Sequence, residues 1–87
     1  MAVRQLTVVE TLAERWGKAV ADRRTELGFT QTQLAGLCDV TQQTISKIEA
    51  GDMIPHDRLK AVIADRLMIE PAELFAWPAR ADMGEAS

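Results

Sequence analysis

The stretch from Thr30 to Ala50 constrains this chain most tightly, because two short amphipathic runs, each opened by a threonine, are separated only by Asp39-Val40-Thr41. Thr30-x-x-Gln33 has the form of a capping box and predicts a helix start. Leu34, Ala35, Leu37 and Cys38 then fall toward a core, with the small Ala35 suited to a close crossing. Gly36 within that run costs about 1 kcal/mol against alanine, and only a close approach by a neighbour would account for it. Asp39 can occupy the left-handed backbone region that so short a turn requires. Thr41 caps the next helix, Gln42 to Ala50, whose Ile45 and Ile48 point inward and whose end is marked by Gly51. Two helices joined this closely cross at a steep angle and leave one face of the second uncovered.

The rest of the chain reads as helices packed around that pair. Thr7-x-x-Glu10 and Thr11-x-x-Glu14 are alternative capping boxes for a first helix. Val9, Leu12, Ala13, Trp16, Ala19, Val20 and Leu27 recur along it at helical spacing, and Gly28 closes it. Asp52 to Pro55 is a loop, and His56 helps to start a fourth helix carrying Leu59, Val62, Ile63 and Leu67. Glu70-Pro71 opens a short fifth, with proline at its first position and Leu74 and Phe75 inward. Apolar residues make up 47% of the chain, yet there is no tyrosine and aromatics are only 5%, a balance that favours helices over sheets. The expected fold is all-α, a compact five-helix domain over residues 11–77. Residues 1–10 form a flexible arm or an extension of the first helix, and 78–87 a disordered tail.

The composition also excludes functions. Cys38, the single cysteine, allows no internal disulfide, fits a reducing compartment and reads as a small core residue. One cysteine and the distant His56 do not make a metal site, so neither metal nor cofactor is expected. No apolar run approaches the roughly 20 residues of a membrane span. The first ten residues lack a signal peptide's apolar stretch. A cytoplasmic location is expected, either in a bacterium or for a phage-encoded protein within its host. No catalytic constellation is present, and the chain is not expected to be an enzyme.

On the helix from Gln42 to Ala50, the residues Gln42, Gln43, Ser46 and Lys47 turn away from Ile45 and Ile48. A glutamine amide can pair with both N6 and N7 of adenine, and a lysine can donate to O6 and N7 of guanine. The start of a helix also offers free N–H groups to phosphates.

The chain resembles the XRE, or Cro/CI-type, helix-turn-helix family from about Val20 to Phe75. Thr30-Gln31, Leu34-Ala35 and the run Ile45-Ser46-Lys47-Ile48-Glu49-x-Gly51 are the most specific matches, with Arg24, Gly28, Val40-Thr41, Pro55, Leu59, Leu67, Pro71 and Leu74-Phe75 in support. The resemblance implies a lambda-repressor-like DNA-binding domain. It further implies that Gln42, Gln43 and Lys47 face base edges, and that Thr41, Thr44 and Ser46 touch the DNA backbone. Gln31 would bind a phosphate and support Gln42, while Arg24 and Glu49 would form an internal ion pair joining the first and third helices. Family members commonly form homodimers on two-fold symmetric operators. Leu74, Phe75 and Trp77 could either complete the monomer core or form a dimer patch.

Two features depart from the pattern. Asp39 stands where glycine is common, and the loop from Asp52 to Asp57 is acidic where relatives often carry lysine or arginine. The net charge is −3, which disfavours a polyanionic partner. Four acidic residues and one basic residue lie between Met68 and Ser87, so residues 1–67 carry nine of each sign and are neutral. A Cro-like or short phage or prophage repressor is the leading expectation. An antitoxin with a protein partner, a restriction-system controller, or an interaction module without DNA binding are the alternatives, the last favoured by the acidic loop and a pI near 5.0.

Overall fold

The computed structural model describes residues 10–78. Five helices follow one another, α1 (Leu12–Glu26), α2 (Gln31–Cys38), α3 (Gln42–Ala50), α4 (Asp57–Arg66) and α5 (Pro71–Leu74), with no strand among the described residues. The alternative start at Thr7, Val9, most of the N-terminal arm and all but the first residue of the expected tail lie outside the described residues.

Local chemistry sets each boundary. Thr11 and Thr30 each accept a hydrogen bond from the backbone N–H three residues on, and Glu14 and Gln33 reciprocate, so both capping boxes are complete. Thr41 caps α3 through the N–H of Thr44. His56 caps α4, its Nδ1 accepting from the N–H of Leu59 at 3.2 Å. The first four helices end alike, on a residue of positive φ: Gly28, Asp39, Gly51 and Met68. In each case the next N–H reaches back to a carbonyl of the last turn, as from Phe29 to Arg24, Val40 to Ala35, Asp52 to Lys47 and Ile69 to Ala64. Asp39, with φ 58 and ψ 44, fills the turn between α2 and α3 with a non-glycine residue.

α1 and α2 pack on the inner face of α3, α4 packs on α2 and α5, and α5 returns to α1, with the core enclosed between them. Val20, Leu34, Ile45, Ile48, Ile63 and Leu67 are its largest fully buried side chains. Arg23 of α1 ties down the end of α4, donating from Nε to the carbonyl of Leu67 (2.9 Å) and from Nη2 to that of Met68 (3.1 Å).

Two expectations need correction. Leu37 does not point to the core; it is 42% exposed, because Leu34, Ala35 and Cys38 take the inward positions of α2 and Leu37 lies to one side of them. Gly36 meets no neighbour, since nothing lies within 4 Å of where its Cβ would be. Gly36→Ala is therefore expected to stabilise the domain by about 0.5–1 kcal/mol, read as a raised melting temperature. Of the two alternatives for the end of the domain, Leu74 and Phe75 are buried in the monomer core, Phe75 edge-on to Trp16, and Trp77 is 72% exposed.

Candidate nucleic-acid interface

The position of α3 is set by its backbone as well as by its side chains. Gly17, buried in the middle of α1, lies against the last turn of α3 so closely that a Cβ there would come within 2.2 Å of the Ile48 carbonyl oxygen and 2.8 Å of that of Glu49. On the opposite side Leu34 and Ala35 of α2 pack into the same core as Ile45 and Ile48. Clamped this way, α3 turns one face outward. Gln42, Gln43 and Lys47 are exposed on it, Thr44 and Ser46 are partly covered, and Thr41 stands exposed at its start. Among the described residues Lys47 makes no ion pair.

Behind this face runs a continuous chain of polar contacts. Arg24 donates to Glu49 through Nε (2.6 Å to Oε2) and Nη2 (3.0 Å to Oε1), and its Nη1 donates to the carbonyl of Phe29 at 2.7 Å. The Glu49 side chain is only 7% exposed and that of Arg24 16%, so this pair bridges α1 and α3 largely out of water. The Glu49 carboxylate, by hydrogen bond first and charge second, raises the Arg24 guanidinium above its ordinary pKa against the opposing pull of burial. Gln31, the first residue of α2, donates from Nε2 to Glu49 Oε1 at 2.9 Å. Gln42, the first residue of α3, donates from Nε2 to Gln31 Oε1 at 2.7 Å. Four residues from three helices thus form one line from the interior to the exposed face.

Among the described residues no group of three metal-ligating side chains occurs. Cys38 is buried, and burial pushes its thiol up despite the counter-pull of Arg66, so the reactive thiolate is disfavoured. None of the described helices is long and apolar enough to cross a membrane. In the loop after α3, Asp52, Ile54, His56 and Asp57 are exposed, and the acidic character read from the sequence lies on the surface.

The sequence reading missed Gly17 and Arg23. Gly17 carried a usable signal, a helix-breaking residue inside an otherwise regular amphipathic run. Arg23 carried none, because an arginine in the last turn of a helix is ordinary.

A short helix, a left-handed turn and a second helix with an uncovered polar face define a helix-turn-helix unit. The family model described as Helix-turn-helix (HTH_3) matches residues 20–74, and the chain belongs to this XRE-type family of DNA-binding transcriptional regulators. Among solved structures, the clp gene regulator ClgR from Corynebacterium glutamicum is similar at 25% identity with a TM-score of 0.75, over 79% of this chain and 88% of that one. A second structure of ClgR matches at 26% identity and a TM-score of 0.71, over 74% of this chain and 68% of that one. The restriction-modification controller protein C.AhdI from Aeromonas hydrophila matches at 27% identity and a TM-score of 0.69, over 71% of this chain and 94% of that one. No curated protein matches at a significant level.

Proposed function

We propose that the chain is a homodimeric, sequence-specific repressor of the short phage or prophage type that reads the major groove with α3. The observation that carries this reading is the exposed row Gln42, Gln43 and Lys47, with Gln42 held at its start by Gln31. Gln42 and Gln43 supply amide donors and acceptors to base edges, and Lys47 donates to guanine or phosphate. Thr41, Thr44, Ser46 and the second N–H of Gln31 serve phosphates, which position the helix without reading sequence. One such helix reads only a few base pairs. Two-fold pairing sets two of them about 34 Å apart on one side of the duplex. Trp77 is the most exposed of four large apolar side chains, with Met68, Ile54 and Leu37, that are available to that pairing among the described residues.

Selection from a random duplex pool at two salt concentrations tests the reading. The expected result is a two-fold symmetric motif whose binding weakens with salt, with a shallow slope because the loop after α3 is acidic. Gln42→Ala is expected to lower discrimination at one adenine by about 1–3 kcal/mol and to leave the other positions alone. An unchanged motif would reject this docking, and no enrichment at low salt would reject DNA reading altogether.

A restriction-system controller is the second reading, favoured by the similarity to C.AhdI over nearly that protein's whole length. A restriction or methyltransferase gene beside this one would decide for it.

A further inference from the structure

We infer that Glu49, with no base within its own reach, sets the base preference of Gln42 by fixing which way the two intervening amides face. The inference rests on the proposed reading of DNA by α3. A primary amide is nearly symmetric in shape, and a free glutamine can offer either end to a base. Here it is not free. A carboxylate can only accept hydrogen bonds, so the end of Gln31 that faces Glu49 Oε1 must be its amino group, as the 2.9 Å contact has it. The carbonyl of Gln31 then faces α3 and can only accept, so Gln42 must turn its own amino group inward, as the 2.7 Å contact has it. Arg24 anchors the series, because its two donors hold both oxygens of Glu49 and prevent the carboxylate from turning away.

The consequence at the surface is a fixed pattern. Gln42 keeps Oε1 and one N–H for the groove, one acceptor and one donor. Adenine presents the complement, N6–H to give and N7 to receive, whereas guanine presents two acceptors in the same places. With the polarity fixed, guanine sets its O6 against Oε1. With it released, Gln42 can rotate and donate to guanine as well. Glu49 is therefore a positioning residue for specificity, apart from the stability its ion pair lends.

The experiment titrates the wild type, Glu49→Gln and Gln31→Leu against the selected duplex and its single-base variants, including adenine and guanine at the position that Gln42→Ala flattens. The wild type is expected to favour adenine over guanine by about tenfold or more. Glu49→Gln, whose amide can present either end, is expected to bring that ratio to within about threefold, with the ratios at other positions and the salt slope unchanged. Gln31→Leu cuts the series while leaving the Arg24–Glu49 pair intact, and is expected to give the same loss. It decides the matter if circular dichroism shows the Glu49 variant unfolded. A purely structural Glu49 would weaken every duplex alike, and that result, or an unchanged ratio in the Gln31 variant, overturns the inference. Solvent exchange of the side-chain amides in free protein gives a reading without DNA. Gln31 and Gln42 are expected to exchange more slowly than exposed Gln43, and equal rates overturn the fixed polarity. A wild type that selects no duplex removes the DNA reading itself and this inference with it, whereas a selecting wild type with unaltered variants removes the inference alone.

Discussion

Gly17→Ala is expected to destabilise the domain by about 2 kcal/mol or more, and to lower its melting temperature by roughly 8–16 °C. Alanine is the better helix former by about 1 kcal/mol, so propensity alone predicts the opposite sign. The added methyl would meet the carbonyl oxygens of Ile48 and Glu49 and the Glu49 carbonyl carbon at 2.2, 2.8 and 3.0 Å. All three are backbone atoms of α3 and its last turn, which no rotamer change can move. α1 and α3 must separate, and the core between them loses contact. The same substitution at Gly36 has the opposite expected sign, so thermal melts of the two variants side by side test the packing argument and not merely the residue type. A Gly17 variant as stable as the wild type would mean that the two helices are not this close.

Trp16→Ala is expected to cost about 3–5 kcal/mol, a large share of what a domain of this size has. Trp16 is 3% exposed and joins parts of the chain far apart in sequence. Its ring meets those of Phe75 and Trp77 edge-on at 5.7 and 5.4 Å, Lys60 sits over it at 4.2 Å, and its indole N–H donates to the carbonyl of Ala76 at 2.8 Å. Truncation empties the seat on which α5 and the following residues rest. Urea unfolding followed by circular dichroism reads the loss. Trp16→Phe retains much of the packing and forfeits the hydrogen bond, worth about 1 kcal/mol. A Trp16→Ala protein with an unshifted midpoint would mean that α5 is not docked through this ring.

How far the molecule was legible in its sequence follows from the range of the forces involved. Helix starts depend on side chains three residues apart, and Thr30, Thr41 and His56 announced them within a single window, while Thr11 shared the first with Thr7. The inward positions Ile45, Ile48, Ile63 and Leu67 followed from periodicity. Leu37 misled because period alone does not say how wide the buried stripe of a helix is, and on α2 it is filled by Leu34, Ala35 and Cys38. A close approach was expected at Gly36 and Gly17 was passed over for a related reason: both weaken a helix, and only the packing of α1 on α3 says which one makes room. For Leu74 and Phe75 an apolar cluster near a chain end fits a core and an interface equally well, and the ring of Trp16 decided it. At the interface the residue types on α3 were readable. The resemblance paired Gln31 with Gln42 and Arg24 with Glu49, but the contact of Gln31 with Glu49 that joins the two pairs into one line across three helices takes form only once they are folded together.

The backbone seat of α3 against Gly17 has a further consequence for how such a protein could be readdressed. In the proposed reading of DNA by α3, a helix seated through its own carbonyls does not depend on its outward residues for its angle. Gln43 and Lys47 are therefore exchangeable parts, open to replacement one at a time by natural drift or by an engineer, with the docking frame untouched. Gln42 is not such a part. Under the same proposal its vocabulary is shared with Gln31 and Glu49, and a new base at that position would call for a new set of residues that agree among themselves.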